Sequence, residues 1–203
     1  MKLDKNILKL ATVAMSIISG SAVAEGYVGF GAGQASFGDV EVSTLEESRK
    51  LALDQNSMAI RAYAGYNFSR YFGTEVVAGN IGTIRVDLGD GNKASINSIK
   101  YISLQPKVMF PLYDKFNIFA KAGVGYSFVN ATGSNDNGSM AVDVSTFSTA
   151  FGLGAEYLFT NNLSVRLNWE YTKPVYDMTE IVNEKVDLGL DIKQVYAGIN
   201  YRF

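Results

Sequence analysis

A chain of 203 residues with 47% hydrophobic content makes one domain with a real core and leaves little for a second. A net charge of −2 offers no basic surface to nucleic acid. No histidine is present, so Ser-His-Asp, Cys-His and His-metal chemistry are excluded; no cysteine is present, so no disulfide holds the fold.

Metal sites built from carboxylates alone have no motif here, and nothing in the chain asks for a cofactor. The 20 glycines, 12 tyrosines and 12 phenylalanines, against 3 prolines, suit an all-β chain of many strands.

Residues 1–24 read as a leader rather than as fold. Lys2, Lys5 and Lys9 precede a short apolar run, and Ala22-Val23-Ala24 forms an A-x-A cleavage site. The run is shorter than the roughly 20 residues that a bilayer-spanning helix needs. Export from a bacterial cytoplasm, with cleavage after Ala24, leaves a mature domain of residues 25–203.

From there the pattern has period two. Val28, Phe30 and Ala32 share one face, opposite Tyr27, Gly29 and Gly31. Met58, Ile60, Ala62, Ala64, Tyr66 and Phe68 oppose Arg61 and Tyr63. Phe72, Thr74, Val76 and Ala78 oppose Glu75; Ile102, Leu104, Val108 and Phe110 oppose Gln105 and Lys107. Phe116 to Phe128 alternates around Lys121, Phe151 to Phe159 around Glu156, and Leu163 to Tyr171 around Arg166 and Glu170. The last segment carries Val195, Ala197, Ile199, Tyr201 and Phe203 against Tyr196, Gly198, Asn200 and Arg202.

Connections alternate in length. Short ones fall at Ser69-Arg70, Pro111 to Lys115 and Thr160 to Asn162. Long polar ones fall near 36–56, 85–97, 130–145 and 172–191. Asp87 to Asn92 has the composition of a hairpin tip. Eight antiparallel strands in this rhythm make an up-and-down barrel with one plain rim and one elaborate rim. Pro106 falls mid-strand on the apolar face, where its missing N–H predicts a bulge or a local change of register.

Two polarities suit such a barrel. A soluble carrier is apolar inside. A membrane barrel has an apolar exterior and a polar, glycine-rich interior. On the apolar face aromatics gather at strand ends. Phe68, Phe72, Phe110, Phe116, Tyr157, Phe159, Tyr201 and Phe203 lie by the short-turn rim, and Trp169, Tyr171, Tyr126 and Phe128 by the long-loop rim. Two girdles fit two membrane interfaces. The other face carries Arg61, Glu75, Lys107, Lys121, Glu156, Arg166 and Glu170. Four bases and three acids are close to the sign balance that buried charges require. Leader, girdles and balance favour the membrane barrel.

The stretches "AGYNFSRYFGTEVVAG", "PKVMFPLYDKFNIFAKAGVGY", "GLGAEYLFTNNLSVRLNWEY" and the terminal "YRF" resemble the small eight-stranded outer-membrane barrels of Gram-negative bacteria, the family of the transmembrane domain of outer membrane protein A. The resemblance implies residence in the outer membrane among lipid and lipopolysaccharide. It implies an ion-pair network of Glu75, Lys107, Glu156 and Arg166, with Lys121 as the basic residue of the fifth barrel strand, discussed in that family as the gate of a narrow pore. It also implies that the barrel-assembly machinery reads Val195, Ala197, Ile199, Tyr201 and Phe203. A separate peptidoglycan-binding domain is not expected in this chain.

The expected role is structural or surface-interacting, through long loops that meet an unidentified extracellular partner; the alternative is a narrow gated pore. An enzyme is not expected without histidine, and a soluble periplasmic carrier conflicts with the charged face. The acids Glu41, Glu46, Glu47, Asp54, Asp177, Glu180, Glu184, Asp187 and Asp191 read as solvation of the loops. The Asn-Ala-Thr triplet at Asn130 reads as chance. Mass spectrometry of the exported protein is expected to find Glu25 as its first residue; an intact residue 1 in the outer-membrane fraction overturns the leader assignment.

Overall fold

The computed structural model describes residues 25–43, 48–51, 55–89, 92–135, 138–177 and 187–203. The leader segment 1–24 lies outside the described residues, as do Glu46, Glu47, Asp54, Glu180 and Glu184. Among the described residues there is no helix. The strands are β1 (Glu25–Ser43), β2 (Ser48–Leu51), β3 (Gln55–Asn67), β4 (Phe72–Ile81), β5 (Ile84–Gly89), β6 (Asn92–Tyr113), β7 (Phe116–Asn135), β8 (Gly138–Leu158), β9 (Leu163–Asp177) and β10 (Asp187–Arg202). Eight of them are staves in the order β10-β9-β8-β7-β6-β4-β3-β1, and β10 pairs with β1 to close the barrel. Every pairing between staves is antiparallel.

The alternation of the chain becomes inside and outside. Phe30 is 57% exposed, Leu167 59% and Ile199 59%, while Glu75, Lys121 and Arg166, on the other parity, are at most 2% exposed. An exterior of this kind is stable only against hydrocarbon. On β9 the outward run Leu163 to Tyr171 covers nine residues, the length that a tilted strand needs to cross a bilayer.

Segments expected as loops are largely strand. β7 and β8 stay paired from Phe116↔Tyr157 to Asn135↔Gly138, so 130–145 is a hairpin rather than an irregular loop. β5 folds onto β6, and β2 onto the upper end of β1. Asn130 lies in this hairpin, where its amide donates to Asp143. Pro111 to Tyr113 belongs to β6, which leaves only Asp114-Lys115 as the turn.

Pro106 causes no bulge. The ladder from β6 to β7 skips Gln105 and Pro106, then resumes at Lys107↔Lys121 in the register it had at Leu104↔Val124. On its other side Pro106 stays paired with Thr74. The missing donor therefore costs ladder bonds on one side, without a shift. Register shifts occur instead at Phe37/Val40, Ile96/Ser98 and Pro111/Tyr113.

Inward tyrosines lie across glycines of the neighbouring strand. A Cβ built on Gly65 would meet the Tyr27 ring at 2.2 Å, and one on Gly79 the Tyr101 ring at 2.3 Å. Bare backbone at these positions lets the rings lie flat on the wall. Gly65→Ala is expected to lower stability by about 1–3 kcal/mol by displacing Tyr27, read as the urea midpoint of protein refolded into phospholipid vesicles. An unchanged midpoint would show the ring free to move.

Candidate functional site

The interior has two layers. Eight charged side chains are buried in the wall and lumen: Arg61, Lys107, Lys121, Arg166, Arg202, Glu75, Glu156 and Glu170. Towards the long-loop end the lumen turns apolar, with Phe37, Ile81, Ile99 and Ile192 each at most 4% exposed and packed in one cluster. A polar interior was expected throughout. The apolar layer comes from inward positions beside stretches that read as loops in the sequence.

Glu75 is the hub of the charged layer. Arg166 holds it bidentately, Nη1 donating to Oε2 at 2.6 Å and Nη2 to Oε1 at 3.1 Å. Lys121 Nζ donates to Oε1 at 2.9 Å, and the Tyr27 hydroxyl to Oε2 at 2.8 Å. These donors come from β9, β7 and β1, so one carboxylate ties together walls that share no ladder with its own strand, β4. Lys121 also reaches Glu170 Oε2 at 3.3 Å, which Arg61 Nη1 meets at 3.0 Å. The guanidinium planes rest on rings: Arg166 Cζ is 3.5 Å from the Tyr63 centroid, and Arg61 Cζ is 3.6 Å from that of Tyr196. Stacking supplies partners to the faces that hydrogen bonds leave bare.

Two members sit differently from the expected network. Among the described residues no carboxylate lies within 4.0 Å of Lys107 Nζ. Lys107 donates instead to the Tyr27 hydroxyl at 2.6 Å, and that hydroxyl donates onward to Glu75. Glu156 is paired with Arg202, Nη2 to Oε1 at 2.8 Å, and accepts from Ser164 and Asn200 as well. Arg202 also reaches Glu25 at 3.2 Å by the short-turn mouth. Arg202, Glu25 and the inward tyrosines 27, 63, 101 and 196 were missed as members. Their parity marks them as inward, and tyrosine carries no charge to draw attention.

The aromatics of the outer face border the short-turn rim through Phe68, Phe72, Phe110, Phe116, Tyr157 and Phe159, and lie higher through Trp169 and Tyr171. Edge-on pairs Tyr157–Phe159 and Phe151–Trp169 pack within the band. Tyr171 is partly covered, and its hydroxyl donates to Asp191 at 2.6 Å. Val195, Ala197, Ile199, Tyr201 and Phe203 all face outward on the closing strand.

Removing the hub leaves two buried cations without their shared counter-charge. Glu75→Gln is expected to cost about 3–5 kcal/mol, measured by urea unfolding in vesicles. Glu156→Gln is expected to cost less, because Arg202 keeps Glu25. Equal losses would show that Glu75 is no hub.

The family model described as OmpA-like transmembrane domain matches residues 21–203. Among curated proteins the chain is 27% identical to outer membrane protein P5 of Haemophilus influenzae, over 100% of this chain and 61% of that protein. The chain thus spans about three-fifths of the length of that relative. Among solved structures, Ail of Yersinia pestis aligns over 90% of this chain and 100% of its own, with TM-score 0.57 and 18% identity. OprG of Pseudomonas aeruginosa aligns over 91% and 98%, with TM-score 0.54 and 16% identity. These two likenesses concern the fold alone. With the closed barrel, its lipid-facing exterior and this match over nearly the whole chain, the protein belongs to the OmpA-like transmembrane domain family and is an integral β-barrel of the bacterial outer membrane.

Proposed function

We propose that this barrel serves as a plugged outer-membrane scaffold that presents its long hairpins to partners outside the cell, and that it is not an enzyme. The observation that carries the reading is the double closure of the lumen. A bonded charge layer around Glu75 lies in series with the apolar layer of Phe37, Ile81, Ile99 and Ile192. An eight-stranded barrel leaves just enough room for side chains to fill it. The hairpins continue the wall outward: β7 runs seven residues past Phe128, about 23 Å of strand. Outer-leaflet lipid and lipopolysaccharide surround the band, and the outward row Val195 to Phe203 is the strand that the barrel-assembly machinery reads. Cleavage near Ala24 completes maturation.

One observation favours a narrow gated pore as the second reading. Lys107 stands one hydroxyl away from Glu75, without a carboxylate of its own among the described residues. Exchange of Arg166 for Lys107 at Glu75 opens the charge layer. It leaves the apolar layer in place, which resists wetting and so blocks ions by itself.

Planar-bilayer recording separates the two. Wild type and Arg166→Ala are expected to be silent, and Arg166→Ala combined with Ile192→Ser to conduct. Stepwise conductance by the wild type would overturn the plugged scaffold in favour of the gated pore. The hairpin reading has its own check: an epitope inserted between Asn135 and Gly138 is expected to bind antibody on intact cells, and failure to do so puts that hairpin on the wrong side.

A further inference from the structure

Pairing between β8 and β9 stops at Ser148↔Pro174, while β8 stays paired with β7 out to Asn135↔Gly138. Past Pro174, β9 goes on with β10 alone, from Gly189↔Val175 to Asp187↔Asp177. The wall therefore opens between β8 and β9. Among the described residues, β8 has no ladder partner on that side from Gly138 to Phe147.

Pro174 decides which backbone groups face the gap. It has no N–H to exchange with Ser148, so that pair is of the non-hydrogen-bonded kind. Residues of the other parity then turn their N–H and C=O towards β9. In the gap these are Ser139, Ala141, Asp143 and Ser145, and the residues between them bond to β7. Ser139 to Ser145 makes an open lane about 23 Å long.

Sheet edges in water are usually guarded by lysine, proline or a bulge. Ser139 to Ser145 has none of these: it pairs with β7 without a register shift, and its one charge is Asp143. The lane also has two unlike faces. Asp143 and Ser145 are exposed, whereas Val144 packs against the apolar cluster of the lumen. Asp143 accepts from Asn130 on the β7 side, and among the described residues no base lies within 4.0 Å of its carboxylate. A strand laid in the lane extends both faces. Its residues on the Val144 face are apolar, and the residue opposite Asp143 is a base. A second copy of the chain does not fit. Copies in one membrane run β8 in the same sense, which forbids an antiparallel ladder, and a copy in a facing membrane brings an acid and no base.

We propose that the free edge of β8 from Ser139 to Ser145 binds an extended peptide segment of an extracellular protein. The segment lies antiparallel to β8 in the place that β9 leaves after Pro174, with alternate apolar residues and a base opposite Asp143. This rests on the reading that the hairpins meet partners outside the cell, and it names the contact.

The probe is the synthetic peptide Thr-Val-Lys-Val-Thr-Val-Thr, capped at both ends and titrated into isotope-labelled barrel in lipid nanodiscs. Saturable NMR shifts and slowed amide exchange are expected at Asp143 and Ser145. Methylating the peptide nitrogens of its third and fifth residues should abolish binding, and methylating those of its second and sixth should not. Ser145→Pro removes a donor from the lane and none from the ladder to β7, a place where an edge strand tolerates proline. It should weaken half-saturation about fivefold, the worth of one hydrogen bond. Asp143→Asn should weaken it about threefold, as should glutamate in place of the peptide's lysine. No saturation at Asp143 and Ser145, or equal binding of the two methylated peptides, overturns the lane. Equal binding of the glutamate peptide overturns the demand for a base. Antibody against an epitope between Asn135 and Gly138 keeps the two levels apart. Antibody binding on intact cells without peptide saturation refutes the lane alone, whereas no antibody binding refutes the outward hairpin as well.

Discussion

A backbone N–H or C=O that faces hydrocarbon has no water to bond, and leaving it unpaired costs several kcal/mol. Everything else in this molecule follows from that constraint. It requires a closed ladder, supplied here by β10 against β1, with Tyr27↔Arg202 at one end and Phe37↔Ile192 towards the other. It explains why Pro106, with no N–H to offer, costs pairing on one side only and leaves the register intact. Closure then forces every stave to present one parity to lipid and the other to a narrow interior, so the same geometry that satisfies the backbone creates a space that side chains must fill.

Filling that space with charge is a separate problem. Buried ions are tolerated only when paired and hydrogen-bonded. The solution here is uneven. Glu75 accepts from Arg166, Lys121 and Tyr27, and tyrosine rings cover the guanidinium faces of Arg61 and Arg166. Five bases face three acids among the buried residues. Lys107 is accommodated by a phenol and its ring rather than by a carboxylate. Arg202 shares Glu156 with the half-exposed Glu25. The glycines opposite Tyr27 and Tyr101 are part of this arrangement, because the rings reach their partners by lying flat on bare backbone. Above the charges, Phe37, Ile81, Ile99 and Ile192 fill the interior by a different physics, the burial of apolar side chains.

The outer face carries its own asymmetry. Aromatic and aliphatic residues run down to the short turns. At the other end the band gives way to amides and three lysines. The strands do not stop there: β6, β7 and β8 continue as a paired sheet well past the band, so stretches rich in Asn, Ser, Thr and Gly, which look like loops, are strand. Strand pairing begun in the membrane carries on outside it, because each further pair needs no new nucleation.

The amino-acid sequence by itself determined the staves, their parity and the side that meets lipid. A period of two is written residue by residue, and the aromatic girdles on one parity with near-balanced charges on the other favour one outside. It also named the seven inward charges on the middle of the staves. It did not determine who pairs with whom. Arg166, Lys121 and Tyr27 reach Glu75 across the lumen from three strands, and Glu156 goes to Arg202 rather than to Lys107. Long side chains choose partners by distances that depend on stagger and closure, and neither is carried by local alternation. The apolar layer was hidden for the same reason. Ile81 faces Ile99 through the ladder of β4 and β6, but Phe37 meets Ile192 only where β1 closes on β10, and all four lie beside stretches that read as loops.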